Sequence, residues 1–221
     1  NVITPDIRGH GMSASPPEVD LYRMDAVAED VVNQIQAQRT TPIHLLGYSM
    51  GGRLALYIAI YYPQLIQSLI LESASPGLAT ETERADRRKQ DNDLADFIER
   101  EGVSVFVRKW EQLPLFGTQR RLPIDTRITL RMQRLTNNPV GLANSLRGMG
   151  TGQQPSLWER LEEVAQPVLL ITGALDSKFT SIARQMRFPK RRLTIISHAG
   201  HTVHLEQPKA FQRCVSDFLT D

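Results

Sequence analysis

The stretch that decides the fold reads Ile43-His44-Leu45-Leu46-Gly47-Tyr48-Ser49-Met50-Gly51-Gly52-Arg53. Residues 43–47 are typical of a short buried strand, and residues 50–62, apolar on most sides, predict a buried helix. Between them, residues 47–51 match G-x-S-x-G, the pattern of a sharp strand-to-helix turn that exposes a serine hydroxyl at the carboxyl edge of a sheet. We therefore predict that Ser49 is a catalytic serine. The alternative is a glycine-rich turn with an incidental serine.

The geometry of such a turn leads to two further expectations. Its backbone is crowded, so we expect that only small residues fit at Gly47 and Gly51. The backbone amide of Met50, at the start of the helix, can point at a developing oxyanion, so we predict Met50 as an oxyanion donor.

Further strand and helix patterns alternate on both sides of this stretch. Helical spacing of apolar residues runs from Asp25 to about Arg39, where Thr40-Thr41-Pro42 ends it. Short apolar strands are predicted at residues 66–71, 167–172 and 193–196, and helices at 181–186 and 208–219. Strands that alternate with helices predict an α/β fold, a mostly parallel sheet flanked by helices.

The middle of the chain has a different pattern. Residues 80–163 contain no convincing strand; residues 80–100 are highly charged, residues 103–110 are mixed, and residues 126–135 and 140–149 have helical spacing. We therefore predict a core formed by residues 1–78 and 164–221 and an inserted helical cap formed by residues 79–163.

Two residues further along the chain are candidates to complete a catalytic triad with Ser49. The acid and then the histidine should each follow a strand in such a fold. Asp176 follows the predicted strand 167–172, and His201 follows the strand 193–196. Asp176 has an alternative interpretation as a turn residue or helix N-cap, and His201 as a loop histidine. His198 and His204 are nearby rivals: the first lies too close to the strand end, and the second falls in the following turn.

Composition excludes several classes of protein. The chain has 221 residues, 41% hydrophobic and 23% charged, which is typical of a globular domain and not of a disordered chain, a collagen or a coiled coil. A net charge of +2 does not favour nucleic-acid binding. A single cysteine, Cys214, excludes a disulfide framework and a multi-cysteine metal site. We predict no metal and no organic cofactor, because neither a Walker loop nor a metal-spaced His/Asp cluster is present.

The ends of the chain bear on its location. No apolar run is long enough to span a bilayer and no signal peptide is visible, so we predict a cytoplasmic protein, with a plastid as the alternative. The sequence has no starting methionine and opens with Asn1-Val2-Ile3-Thr4-Pro5-Asp6, which reads as the tail of a strand. We expect that N-terminal strands are missing from this sequence.

Over almost its whole length the sequence resembles the α/β-hydrolase superfamily. Pro5-Asp6-Ile7-Arg8-Gly9-His10-Gly11-Met12-Ser13 is similar to its D-x-R-G-x-G-x-S loop, and Ala199-Gly200-His201 with Glu206-Gln207-Pro208 is similar to its G-H…E-x-P ending. The resemblance implies a fold with a Ser-Asp-His triad. The superfamily's His-Gly-apolar motif, which supplies a second oxyanion amide, is absent here, and this fits a missing N-terminal segment.

Within the superfamily, the sequence resembles the 2-succinyl-6-hydroxy-2,4-cyclohexadiene-1-carboxylate synthases of menaquinone or phylloquinone biosynthesis. The resemblance rests on Glu72–Leu78, Glu83–Arg88, the elbow G-Y-S-x-G-G-R through Arg53, and Leu175–Phe179 with its D-x-K-F ending. It implies a lyase that eliminates pyruvate from a small polycarboxylate substrate, with the triad acting as a base. It also implies that Arg53, Arg87 and Arg134 bind substrate carboxylates and that Tyr48 and Trp110 line the pocket. Arg84 and Arg88 fit a solvated helix face better.

Two other functions stay open at the level of sequence. The same triad would serve a hydrolase that cleaves an ester or a carbon–carbon bond, and only the arginines and residues 73–78 favour the lyase. A noncatalytic binding protein on this fold is the third alternative, and the presence of Ser49, Asp176 and His201 argues against it.

Overall fold

The computed structural model describes residues 2–38 and 42–220, and the chain forms two compact units. The helical unit comprises Asn1–Ala37, Gly77–Gln112 and Ile124–Ser156. The sheet unit comprises Gln38–Pro76, Leu113–Pro123 and Leu157–Asp221. This division differs from the predicted core and cap in four places, because residues 1–37 and 77–78 group with the helices and residues 113–123 and 157–163 group with the sheet. The boundaries at 78/79 and 163/164 therefore stay predictions.

Four parallel strands form the sheet in the described part of the chain. They are β1 Ile43–Tyr48, β2 Ile66–Glu72, β3 Val168–Gly173 and β4 Arg191–Ile196. Their order in the sheet is β1-β2-β3-β4, the same as their order along the chain. All four predicted strands are present, and the α/β-hydrolase architecture expected from the sequence is confirmed.

The described residues form eight α-helices. They are α1 Met24–Ala37, α2 Met50–Tyr61, α3 Glu81–Trp110, α4 Ile124–Leu135, α5 Pro139–Met149, α6 Ser177–Gln185, α7 Val203–Glu206 and α8 Pro208–Thr220. Short 3-10 segments include Pro63–Leu65, Pro114–Arg121 and Trp158–Glu163. The predicted end of the first helix near Arg39 lies outside the described residues.

The core of the sheet unit forms around its central strands. Every residue of β3 is buried, and the neighbours Ile70 and Leu169 pair across β2 and β3. Phe211 and Phe218 of α8 pack against the cluster that contains these two residues. A parallel strand that is covered on both faces has a continuous run of apolar residues, and this run predicted β3 from the sequence.

The helical unit contains α3, in the charged and mixed segment where the apolar pattern predicted no individual helix. Thr80 caps α3 by accepting from the Glu83 backbone N–H at 3.2 Å, and Glu83 accepts from the Thr80 N–H at 2.9 Å. This reciprocal capping box has a sequence signature, T-x-x-E, that predicts a helix start. Gly102, with φ of 79°, interrupts α3. α3 packs against α5, and Arg147 of α5 forms ion pairs with Glu99 and Asp96.

The junction of β1 and α2 shows where small residues are required. A Cβ at Gly47 would lie 2.3 Å from the Gly51 carbonyl oxygen, and one at Gly52 would lie 2.5 Å from the Ala74 Cβ. A Cβ at Gly51 would meet no atom within 4 Å. The expectation for Gly47 is confirmed and that for Gly51 was wrong, because the helix turns its Gly52 face, not its Gly51 face, toward the strands.

The two helix glycines provide a matched test of this packing. We expect Gly52→Ala to lower the free energy of unfolding by about 1–3 kcal/mol through overpacking. Gly51→Ala should be neutral, or should stabilise by up to about 1 kcal/mol through helix propensity. Urea denaturation of both variants measures the difference. Equal losses of stability would contradict this account of the junction.

Candidate active site

Parallel strand ends bring three loops to one edge of the sheet. Tyr48 pairs with Glu72, Glu72 with Ile171, and Gly173 with Ile196, so the carboxyl ends of the strands are aligned. Beyond the strands, the Ala174 N–H donates to the Ile196 carbonyl and the Leu175 N–H to the Ala199 carbonyl, each at 2.9 Å. These bonds hold the loops after β3 and β4 together. This edge is where open α/β sheets bind ligands.

Ser49 follows β1 directly and has a strained backbone. Its φ of 49° and ψ of −107° are rarely adopted by residues other than glycine, and this conformation turns the hydroxyl out of the elbow. The Ser49 N–H donates to the Glu72 carbonyl at 2.8 Å. Ser49 occupies the N-cap position of α2, yet its side chain does not cap the helix. The hydroxyl oxygen instead lies 3.0 Å from His201 Nε2.

His201 connects Ser49 to Asp176. Its Nδ1 lies 2.7 Å from Asp176 Oδ2, and both side chains are buried. An ionised carboxylate only accepts hydrogen bonds, so Nδ1 carries the proton and donates it, and Nε2 of the neutral ring accepts from the Ser49 hydroxyl. The resulting chain of hydrogen bonds can take a proton from Ser49 and stabilise the imidazolium that forms.

The two oxygens of Asp176 have separate partners. Oδ1 accepts from the Phe179 N–H at 3.1 Å and caps α6, and Oδ2 accepts from His201. Asp176 therefore caps a helix and also binds His201, and its role as the catalytic acid stays a prediction. The cap fixes the rotamer that aims the second oxygen at the imidazole.

Aromatic rings surround the imidazole of His201. Ring centroids of Phe179, Tyr48 and Phe116 lie 4.5, 5.4 and 6.0 Å from it. Only 1% of the His201 side chain is exposed. Electrostatic interactions are stronger where water is excluded, so this packing strengthens the bond to Asp176.

A second carboxylate, Glu206 of the E-x-P ending, supports the loop that carries His201. Glu206 accepts from the Gly200 N–H at 2.8 Å and from the Thr202 N–H at 3.2 Å, on either side of His201. The Thr118 hydroxyl donates to the same carboxylate at 3.0 Å, and the Gln119 amide donates to the Thr202 hydroxyl at 2.7 Å. This network explains why residues 113–123 belong to the sheet unit.

The two rival histidines have other surroundings. His198 is exposed and has a φ of 62° in the loop after β4. His204 lies in α7, and its Nδ1 donates to Glu72, with its closer contact at 2.8 Å. Of these three histidines, the structure brings His201 to Ser49.

The other predicted site residues divide between the two units. Met50 is the first residue of α2, where backbone N–H groups have no partner within the helix. Arg53, buried, lies one turn further along α2, and the Tyr48 hydroxyl lies 3.1 Å from the Thr202 hydroxyl. Arg87 and Trp110 lie on α3 and Arg134 lies on α4, all in the helical unit. Phe106 packs against Trp110 with ring centroids 5.3 Å apart.

Acidic residues of the helical unit orient two of these arginines. Arg87 Nε donates to Asp91 Oδ1 at 2.8 Å, and Asp91 is buried whereas 38% of the Arg87 side chain is exposed. Arg134 donates to Glu111 at 3.3 Å. Burial raises the pKa of the Glu111 carboxyl, but the hydrogen bonds and charges of Arg131 and Arg134 outweigh burial and bring this pKa below its ordinary value. Glu111 is therefore ionised at neutral pH.

The described residues include neither a cluster suited to a metal ion nor a helix suited to crossing a membrane. No group of three or more His, Cys, Asp or Glu side chains within residues 2–38 and 42–220 is arranged to hold a metal ion. Within the same ranges, no helix has the length and apolar character needed to cross a membrane.

Comparison with known proteins gives consistent matches over most of the chain. The sequence profile of the α/β-hydrolase fold family matches residues 1–208. A Bacillus subtilis (strain 168) protein, provisionally named 2-succinyl-6-hydroxy-2,4-cyclohexadiene-1-carboxylate synthase, is 48% identical over 217 residues, 97% of this chain and 79% of that protein. A Serratia proteamaculans (strain 568) protein of the same name is 31% identical over 98% of this chain and 82% of its own length.

A solved structure resembles this chain in three dimensions. The structure of MenH from S. aureus superimposes with a TM-score of 0.93 at 39% sequence identity. The match covers 97% of this chain and 81% of that one.

The two functions of Asp176 can be separated by substitution. Asn caps helices as well as Asp does, so Asp176→Asn should leave the free energy of unfolding nearly unchanged. It should nevertheless slow the reaction of Ser49 with a fluorophosphonate severely, by as much as about 10⁴-fold, because the imidazole loses its anionic partner. Asp176→Ala should lose the reaction and also about 1 kcal/mol of stability.

Labelling kinetics and urea denaturation measure the two effects in the same preparations. Labelling of Asp176→Asn at the parental rate would contradict the proposed coupling of Asp176 to His201.

Proposed function

This chain belongs to the α/β-hydrolase fold family and, within it, to the 2-succinyl-6-hydroxy-2,4-cyclohexadiene-1-carboxylate synthases, and from this membership we propose that it is a carbon–oxygen lyase of menaquinone or phylloquinone biosynthesis. It eliminates pyruvate from 2-succinyl-5-enolpyruvyl-6-hydroxy-3-cyclohexene-1-carboxylate. The product is 2-succinyl-6-hydroxy-2,4-cyclohexadiene-1-carboxylate. The cytoplasmic location inferred from the sequence stays a prediction.

The observation that carries the mechanism is the chain of hydrogen bonds through His201. With Ser49 Oγ at 3.0 Å and Asp176 Oδ2 at 2.7 Å, the imidazole can accept a proton at Nε2 while Nδ1 stays bonded to the carboxylate. A lyase of this type needs a base and no acyl-enzyme intermediate. The same three side chains that acylate in a hydrolase therefore serve here as a proton acceptor.

The reaction proceeds by removal of a ring proton. Ser49 Oγ takes the proton from a ring carbon as His201 Nε2 takes the hydroxyl proton, and Asp176 stabilises the imidazolium. The electron pair of the broken C–H bond forms a new ring double bond, and the pair of the existing ring double bond shifts by one position. The C–O bond to the enolpyruvyl group breaks, and the departing enolate takes up the proton held by His201 to become pyruvate.

Negative charge develops on the substrate during this step. The Met50 N–H, at the positive end of α2, is placed to donate to an oxygen that gains charge. Arg53 lies one helical turn after Ser49, buried on the same helix, and supplies a fixed positive charge near the elbow. Tyr48 completes this part of the site through its ring contact with His201.

The family resemblance supplies two further candidates for carboxylate binding, Arg87 and Arg134, both in the helical unit. The substrate carries three carboxylates, and a guanidinium matches a carboxylate with two parallel hydrogen bonds. Asp91 takes the Nε–H of Arg87, and this contact orients the terminal nitrogens of a partly exposed side chain. Arg134, hydrogen-bonded to Glu111, is the second arginine of this unit that we assign to carboxylate binding, and Trp110 is assigned to an apolar contact with the substrate on the same resemblance.

Pyruvate release tests the proposed function directly. Purified protein supplied with the enolpyruvyl substrate should produce pyruvate, followed by NADH oxidation in the presence of lactate dehydrogenase. Ser49→Ala should reduce the rate to near background, because the base is removed. Absence of pyruvate release, together with rapid hydrolysis of a p-nitrophenyl ester, would replace the lyase by the hydrolase alternative. Activities unchanged by Ser49→Ala would favour a noncatalytic protein.

Neighbouring arginines on α3 allow a controlled test of carboxylate binding. Arg87→Gln should raise KM for the tricarboxylate about 10- to 100-fold, since a hydrogen bond to a charged group contributes about 1.5–3 kcal/mol. Arg88 donates instead to Glu81 and to the Gly152 carbonyl, so Arg88→Gln is the matched control and should leave KM within about twofold.

Steady-state kinetics on both variants measure the difference. Equal KM values for Arg87→Gln and the parent protein would remove Arg87 from the substrate site.

A further inference from the structure

Glu72 is a buried carboxylate that the proton transfer does not use. It is the last residue of β2, and its side chain is 1% exposed. An ionised carboxylate is costly to bury unless it is paired and hydrogen-bonded. Its side-chain partner here is His204, which lies three residues after His201 along the chain.

The contacts between Glu72 and His204 involve both side chain and backbone. His204 Nδ1 lies 2.8 Å from Glu72 Oε2 and 3.0 Å from Oε1. The His204 backbone N–H also donates to Oε1, at 3.1 Å. The carboxylate therefore holds the first turn of α7 by its main chain as well as by the imidazole.

The backbone of Glu72 contacts the opposite side of the active site. Its carbonyl oxygen accepts from the Ser49 N–H at 2.8 Å, so one residue is bonded to the strained elbow and to the helix that follows His201. The Tyr48 ring lies between the two histidines, 5.4 Å from His201 and 5.0 Å from His204 by ring centroids. Ser73, the next residue, has a φ of 47°, so the chain after β2 is strained in the same way as the elbow.

We propose that Glu72 and His204 form a positioning pair that sets the distance between Ser49 and His201. The hydroxyl and the imidazole come from different strands, and Glu72 connects the ends of both loops at the base of the site. Glu206 lies five residues after His201 and binds the backbone on both sides of it, so that contact is local. Glu72 belongs to β2, so its contacts with His204 connect the His201 loop to the sheet. This role rests on the triad chemistry of the proposed function.

The test compares two substitutions of Glu72 with a matched one on the same strand. Glu72→Leu removes all three hydrogen bonds from His204, and Glu72→Gln keeps an oxygen that can accept from the His204 N–H. Ser68→Ala is the control, since Ser68, also buried on β2, bonds a different histidine, His44, at 2.8 Å. Each variant is assayed for kcat and KM in pyruvate release and for the rate of fluorophosphonate labelling of Ser49.

We expect Glu72→Leu to lower kcat on the order of 10- to 100-fold with KM within about twofold, because a small misplacement of reacting groups has effects of that size. Labelling should slow in parallel, Glu72→Gln should recover part of both rates, and Ser68→Ala should match the parent. If Glu72→Leu does not fold, a loss of kcat and labelling in Glu72→Gln supports the pair.

Several results would overturn the proposal. They are parental kcat and labelling rates in a folded Glu72 variant, a loss that appears equally in KM, and the same loss in Ser68→Ala, which would indicate general destabilisation. If the parent protein releases no pyruvate, the proposed function fails, and the labelling rates alone still decide whether Glu72 positions the triad.

Discussion

The structure depends on the alignment of the carboxyl ends of parallel strands. A hydroxyl, an imidazole and a carboxylate can be hydrogen-bonded in series only if the ends of β1, β3 and β4 lie at one edge of the sheet, since each donor and acceptor must come within about 3 Å of each other. The apolar residues of β2 and β3 fix that register, because a slip along the sheet would disrupt the close packing of side chains such as Leu169 and Ile171. The burial of these core residues thus offsets the backbone strain at Ser49, which costs on the order of 1–3 kcal/mol.

Carboxylates in the sheet unit bind backbone and side-chain donors at the same time. Asp176 caps α6 with one oxygen and binds His201 with the other, and Glu206 accepts from the N–H groups on both sides of His201. Each carboxylate therefore fixes the imidazole of His201 relative to a neighbouring turn of the backbone. The side chains of Asp176 and Glu206 lose little additional rotamer freedom when they bind His201 or its loop, because their backbone hydrogen bonds already fix their orientation.

The helical unit uses acidic residues for a different purpose. Asp91 and Glu111 form ion pairs with Arg87 and Arg134, and both arginine side chains stay partly exposed. Arg84 and Arg88 bond to Glu81 and to backbone carbonyls near the start of α3. Arginines of the helical unit thus have different partners, and composition alone does not reveal the difference.

The sequence by itself determined the strands, the helices around them and the three members of the hydrogen-bonded chain, because apolar periodicity and the G-x-S-x-G turn are local properties of neighbouring residues. It located the crowded glycine only in part: Gly47 was predicted, but Gly52 depends on its distance to Ala74, a contact between segments distant in the chain. The start of α3 was not predicted, although Thr80 and Glu83 form a local T-x-x-E capping box. Only the tertiary structure showed that Glu72 binds His204 and that Glu206 binds the backbone on both sides of His201. These contacts depend on distances between loops at the ends of different strands, which no local pattern encodes.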